Sequence, residues 1–178
     1  SNTYGSDGKL ATTTYPGYSV PFTMTYDLMD RPVKMTGPSM LYGNQIDHAK
    51  DVVYGVAGQV TSMKYVQGET ADVDGSGNPI GVPTFMTETK TYNALFQLTR
   101  QTTGTVADIE YTYSSTANNG RITGRKNYIS GEDVIYSYDE LNRLVTASIS
   151  GSGGWGQSFT HDGFGNLWTQ AVTKGTAP

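Results

Sequence analysis

The stretch Tyr136–Thr146, YSYDELNRLVT, is a β-hairpin written in one line. Val134, Tyr136 and Tyr138 alternate on the way in, and Leu144 and Thr146 alternate on the way out. Period-two alternation is the mark of a strand with one face covered. Asp139 opens the turn between them and Asn142 closes it. An aspartate there accepts hydrogen bonds from N–H groups just ahead, and Asn or Gly suits a closing position with positive φ. The pattern predicts a type I turn followed by one left-handed residue, a common way to fold a strand back on its neighbour.

Working outward, the same pattern recurs in seven hairpin repeats, anchored on Tyr4, Tyr26, Tyr54, Tyr92, Tyr113, Tyr138 and His161. Anchor spacings run from about 21 to about 38 residues, the range of stacked supersecondary repeats. Two residues before six of the anchors stand Met24, Val52, Lys90, Tyr111, Tyr136 and Phe159; between lie Thr25, Val53, Thr91, Thr112, Ser137 and Thr160. The turn-closing position holds Gly8, Gly58, Gly120 and Gly165, or Asp30 and Asn142. Phe96 breaks that rule, which predicts a different turn there. The repeat at Tyr113 carries an enlarged turn reaching Gly120 and Arg121.

Composition agrees with strands and turns. The 178 residues include 22 Gly and 13 Tyr, with no long Ala/Leu/Glu/Lys run to support a helical bundle. The best helical stretch, Gln45–Val53, is short and poorly patterned. A net charge of −4 with 16% charged residues provides no basic patch for nucleic acid. No apolar run approaches the roughly 20 residues that span a bilayer as a helix, so neither nucleic acid nor membrane insertion is expected. Cysteine is absent, excluding disulfides and thiolate metal sites. The chain begins and ends mid-pattern, which leads us to expect a piece of a longer array.

Two segments interrupt the regularity. Residues 68–83, GETADVDGSGNPIGVP, read as a long inserted loop, and residues 151–156, GSGGWG, as a flexible connection with Trp155 packing on a sheet face. Neither separates domains, because the repeat continues on both sides. The expected fold is all-β: consecutive antiparallel hairpins forming a curved, spiralling sheet, with residues 1–178 as a single array.

The segments YDLMDRPVKMTG, YSYDELNRLVT and THDGFGNL resemble the YD repeat, also called the RHS repeat, over nearly the whole chain. In that family long hairpin arrays wind into a spiral β-sheet. In bacterial polymorphic toxins and insecticidal Tc complexes the sheet closes into a shell around a toxic C-terminal segment, and in teneurins a similar barrel serves adhesion. The resemblance implies structural roles for Tyr26, Asp27 and Arg31, for Tyr138, Asp139 and Arg143, and for His161, Asp162 and Gly165: stacking between repeats, turn capping and Asp–Arg pairing. About seven repeats are too few to enclose a cavity, and the family's self-cleaving aspartate junction is not recognisable, so neither shell closure nor autoproteolysis is carried over.

Little chemistry competes with this reading. Asp72-Val73-Asp74-Gly75-Ser76-Gly77 matches the first half of a calcium loop, but Pro83 stands where the twelfth-position acid belongs. The stretch therefore reads as a solvated turn, and no metal or cofactor is expected. His48 lies in a polar connection and His161 takes an anchor place. No nucleophile elbow or phosphate loop is present, and the adjacent carboxylates Glu132-Asp133 and Asp139-Glu140 send their side chains apart rather than onto one substrate, so no catalytic residue is assigned. The expected function is a non-enzymatic structural segment of a large secreted or cell-surface bacterial protein, forming a wall that encases or presents a C-terminal effector. Its partners would be flanking repeats and that effector, and its edge strands would favour self-association. The alternative is an adhesive module stacking glycans on Trp155 and Trp168.

Overall fold

A computed structural model describes residues 1–176 of the chain. Among the described residues there are fourteen strands and no helix. They are β1 (Asn2–Tyr4), β2 (Leu10–Thr13), β3 (Phe22–Tyr26), β4 (Pro32–Pro38), β5 (Gln45–Tyr54), β6 (Val60–Val73) and β7 (Pro79–Tyr92). Then follow β8 (Leu98–Thr103), β9 (Ala107–Tyr113), β10 (Ile122–Asn127), β11 (Asp133–Tyr138), β12 (Leu144–Ile149), β13 (Gly156–His161) and β14 (Leu167–Lys174). They form one open sheet in which strand order follows chain order. The chain divides into two compact units, Ser1–Lys90 and Thr91–Pro178.

Within each unit the covered positions follow the alternation. In β3, Phe22 is buried and Met24 and Tyr26 half-buried, while Thr23 and Thr25 face solvent. In β11, Val134 is buried and Tyr136 and Tyr138 half-buried, while Ile135 and Ser137 are exposed. The solvent face is tied by hydroxyl pairs across strands, among them Thr3–Thr12 at 2.6 Å and Thr160–Thr169 at 2.6 Å. Each cross-strand pair of this kind contributes up to about 1 kcal/mol.

The fully covered core is small, as expected of a single layer. In the first unit Phe22 is ringed by Tyr15, Tyr18 and His48, with ring centroids 5.0–5.5 Å away. Gly37 lies so close that a Cβ there would fall on the Phe22 ring. His48 also hydrogen-bonds the Pro38 carbonyl through Nε2 at 3.1 Å, so it is a packing histidine. In the second unit Val134 and Ala147 are the buried apolar residues.

Three expectations are corrected. Residues 68–83 are not a loop: β6 and β7 run through them, pairing Glu69 with Pro83 and Asp72 with Ile80. The loop-forming residues belong to one tight turn, Asp74–Asn78, and averaging composition across that turn hid the β-branched arms Thr70, Val73, Ile80 and Val82 on either side. The connection expected at 151–156 ends at Trp155, because Gly156 already lies in β13, and the Ile149 N–H donates to the Trp155 carbonyl at 2.9 Å. The turn at Phe96 is the same turn as its neighbours, with Phe96 itself at φ 58°.

Asn93 explains the last correction. Its Oδ1 accepts from the N–H groups of Leu95 and Gln97 at 2.9 and 3.0 Å and holds the turn despite the phenylalanine. A non-glycine residue in the left-handed region costs about 1–2 kcal/mol, and Phe96 is half exposed, so its ring returns little packing. Phe96→Gly is therefore expected to stabilise the protein by about 1 kcal/mol, read as a higher urea midpoint at unchanged slope.

Candidate functional site

The features that recur along the chain are the turns and the contacts from one hairpin to the next, and these are built from the turn residues upward. Among the described residues one turn recurs at 5–9, 27–31, 55–59, 74–78, 93–97, 139–143 and 162–166. The first residue's N–H donates to the fifth residue's carbonyl at 2.7–3.0 Å, and the fourth's N–H to the first's carbonyl at 2.9–3.1 Å. The fourth residue has φ between 58° and 90°. This is the type I turn with a left-handed residue and bulge expected from Asp139 and Asn142.

The opening side chain holds it. Asp139 Oδ1 accepts from the N–H groups of Leu141 and Arg143 at 3.0 and 2.8 Å, and Oδ2 from Arg143 Nε at 2.7 Å. Asp27 does the same with Met29 and Arg31, and Asp162 with Phe164 and Asn166. Two turns open on glycine, and another side chain fills the vacated place. Asp7 Oδ1 accepts from the Lys9 N–H at 3.1 Å, and Gln59 Oε1 from the Ala57 N–H at 3.0 Å. A Cβ at Gly5 would come within 2.7 Å of that Asp7 oxygen, and one at Gly55 would fall on the Gln59 amide. The enlarged turn after Tyr113 is capped instead by Ser114 Oγ, which accepts from Ala117 N–H at 3.0 Å, with Gly120 at φ 92°.

The anchors make the joint itself. Tyr26 Oη donates to the Leu10 carbonyl at 2.8 Å, Tyr54 to Pro32 at 2.6 Å, Tyr113 to Leu98 at 2.9 Å and Tyr138 to Ile122 at 2.8 Å. Each acceptor is the first residue after the preceding anchor-end turn. The residue just after the turn-closing position reaches forward too: Lys9 lies over the Tyr26 ring, Arg31 over Tyr54 and Arg121 over Tyr138, at 5.7, 4.4 and 5.0 Å. Arg121 and Arg143 also donate to the carbonyls of Asp139 and Asp162, which open the following turns. A hydroxyl on a carbonyl and a cation on a ring thus bind one hairpin to the next. Cation–ring contacts at such sites contribute about 0.5–1 kcal/mol.

The spacing from acceptor to anchor hid this lock from sequence, because intervening strands differ in length: 16 residues from Leu10 to Tyr26, 22 from Pro32 to Tyr54. The polar residue after each turn was the available signal. Tyr4, in the first strand, is 63% exposed, and His161 stands where the sixth joint's tyrosine belongs.

The turn carboxylates are acid-sensitive. The Arg143 N–H and guanidinium hold Asp139 below the usual carboxylate range; the Arg31 N–H and guanidinium do so for Asp27, the Asn166 side chain and N–H for Asp162, and the Asn78 side chain and N–H for Asp74. Groups with a lowered folded pKa bind fewer protons folded than unfolded. Their stabilisation is complete above the unfolded value of about 4 and is lost as pH falls through the lower folded values. Urea midpoints are therefore expected to stay level from neutral pH to about 5 and to drop below about 4. Asp139→Asn, a residue type that Asn93 shows to fit this turn, should reduce that drop. Lys9 lies at the other end of the scale, raised to about 12 by Asp30 and Asp7, and its contribution is lost only as pH rises through that value.

The remaining sequence candidates fall into place. Asp74 does not present a free calcium carboxylate, since its oxygens accept from Ser76, Asn78 N–H and Asn78 Nδ2. The Trp155 indole is half-buried and donates to Glu132 at 3.1 Å, whereas Trp168 is 74% exposed on β14.

No protein-family model and no curated relative matches the sequence. Solved structures do. A chain of the Photorhabdus luminescens Tc holotoxin pore, with a mutated TccC3, aligns over 97% of this protein at 15% identity and a TM-score of 0.58. The TcdB2-TccC3-TEV crystal structure aligns over 97% at 13% identity and a TM-score of 0.37. This protein spans 9% and 11% of those chains. The first likeness places the fold; at such identity it speaks to fold alone.

Proposed function

We propose that the chain is a structural segment of a toxin-type repeat array in a large secreted or cell-surface bacterial protein, where it forms part of a wall that encases or presents a C-terminal effector. The observation that carries this is the repeated joint: a tyrosine hydroxyl on the carbonyl that follows the preceding turn, found at Tyr26, Tyr54, Tyr113 and Tyr138. A joint made of backbone acceptors and side chains at repeat positions adds hairpins one after another without a specialised interface. The Tc holotoxin pore chain, with the same fold over this length, supports the association with toxins. The role is mechanical, and no catalytic step is assigned.

The test is protease protection in the protein expressed with all that its gene encodes on either side. A C-terminal segment sheltered by the wall is expected to resist protease until the array is denatured. A segment cut as fast in place as in isolation would overturn the proposal.

A further inference from the structure

All six methionines stand at or before Met86, so the first unit holds every thioether and the second unit holds none. Met29 and Met40 are 71% and 77% exposed. The other four are half-buried, and three of them lie in one cross-strand row. Met24 pairs with Met35, Met35 with Ala49, Ala49 with Tyr65, and Tyr65 with Met86. Directly paired residues share a face, and Met63, two before Tyr65 on β6, shares it as well. Ala49 is the short member of the row. A groove of about 230 Å³ opens over it, walled by Met24, Met35, Met63 and Val52.

The groove offers no spare hydrogen-bond donor. Its polar side chains are Tyr54 and Lys34. The Tyr54 hydroxyl is engaged by the Pro32 carbonyl at 2.6 Å, which closes the joint between β4 and β5, and the Lys34 ammonium lies 2.7 Å from Asp47. Met86 lies outside the groove, and its sulfur accepts from the Tyr65 hydroxyl at 3.6 Å. A thioether suits an apolar surface of this kind, whereas a sulfoxide is polar and does not. Its oxygen stays unpaired or takes the hydrogen that Tyr54 gives to Pro32.

We propose that Met24, Met35 and Met63 form a modification site for peroxides, and that their oxidation opens the Tyr54 joint. A sulfur lone pair attacks one peroxide oxygen, and the O–O bond breaks. The proton on the transferred oxygen passes to the departing one, so hydrogen peroxide is reduced to water as the thioether is oxidised to the sulfoxide. The site is independent of the array reading, since it needs only the groove and its thioethers.

The test treats the whole chain with hydrogen peroxide, following each methionine by peptide mass spectrometry and the strands by hydrogen exchange. Met29 and Met40 are expected to gain oxygen first, with no change in exchange. Oxygen on Met24, Met35 or Met63 should bring about ten-fold faster exchange in β4 and β5, the effect of one buried polar group left unpaired. Strands β11 and β12, in the unit without methionine, should keep their rates. Methionine sulfoxide reductases should restore the slow exchange. Combined Met24→Leu, Met35→Leu and Met63→Leu, swaps that nearly conserve volume, should give a protein that peroxide no longer loosens. Tyr54→Phe has no hydroxyl to lose, and peroxide should add little to its exchange. Sulfoxides at the three positions with β4 and β5 unchanged, or equal loosening of the leucine protein, would refute the site. So would failure of the three sulfurs to react before the protein unfolds. An undiminished rise in Tyr54→Phe would remove the joint from the mechanism.

Discussion

Val134→Ala should lower stability by about 2 kcal/mol, the removal of two buried methyl groups with incomplete collapse around them. Val134 is 1% exposed, in a sheet where most side chains are only half-covered. It lies between Arg125 of β10 and Ile149 of β12, so its loss loosens two strand pairs at once. Small domains retain about 5–15 kcal/mol in total, which makes this a large share for one residue. Val56→Ala is the control: Val56 is 99% exposed in a turn, and its truncation should change stability by less than about 0.5 kcal/mol. Urea midpoints at constant slope provide the comparison. A Val134→Ala change as small as the control's would show that the second unit's apolar cover is diffuse rather than centred on this residue.

What the sequence disclosed and what it hid divide by range. The turns were readable because their requirements are local: an acceptor side chain at the opening and tolerance of positive φ three residues later, both within Asp139–Asn142. Even Asp30, with φ at 64°, follows that rule. Phe96 misled because a single position was weighed without Asn93, whose amide supplies the bonds that hold the turn. The joints were hidden because Tyr54 finds its carbonyl 22 residues back and Tyr138 finds its own 16 residues back. No fixed spacing links hydroxyl to acceptor. A bulge at Asp51, with φ at 53° and its carboxylate on Lys64, disturbs the spacing further. The β6–β7 extension was hidden otherwise, by the turn-forming residues Asp74–Asn78 set between its β-branched arms, whereas the segment that docks on it comes from the β4–β5 loop, far away in the chain.

That docking sets the second large effect. Asn44 mimics a strand, its Nδ2 donating to the Gly81 carbonyl at 3.0 Å and its Oδ1 accepting the Gly81 N–H at 2.7 Å. Beside it the Ser39 hydroxyl donates to Glu69, and the Met40 N–H donates to the same carboxylate at 3.0 Å. The loop comes so close that a Cβ at Gly81 would fall on the Ser39 hydroxyl and the Glu69 carboxylate. Gly81→Ala is therefore expected to cost about 3 kcal/mol, from overpacking together with the hydrogen bonds that part when the loop retreats. Hydrogen exchange separates this from general destabilisation: the Met40 and Gly81 amides should lose protection while those of Thr23 and Met24 in β3 keep theirs. Ser39→Gly combined with Gly81→Ala removes one of the two obstructing groups and frees the Glu69 carboxylate, the end of a flexible side chain, to swing aside, so it should restore most of the Gly81 protection without restoring the serine–Glu69 bond. Failure of that pair to recover would mean the loop is held by the Ser39–Glu69 contact more than by the Asn44 bridge.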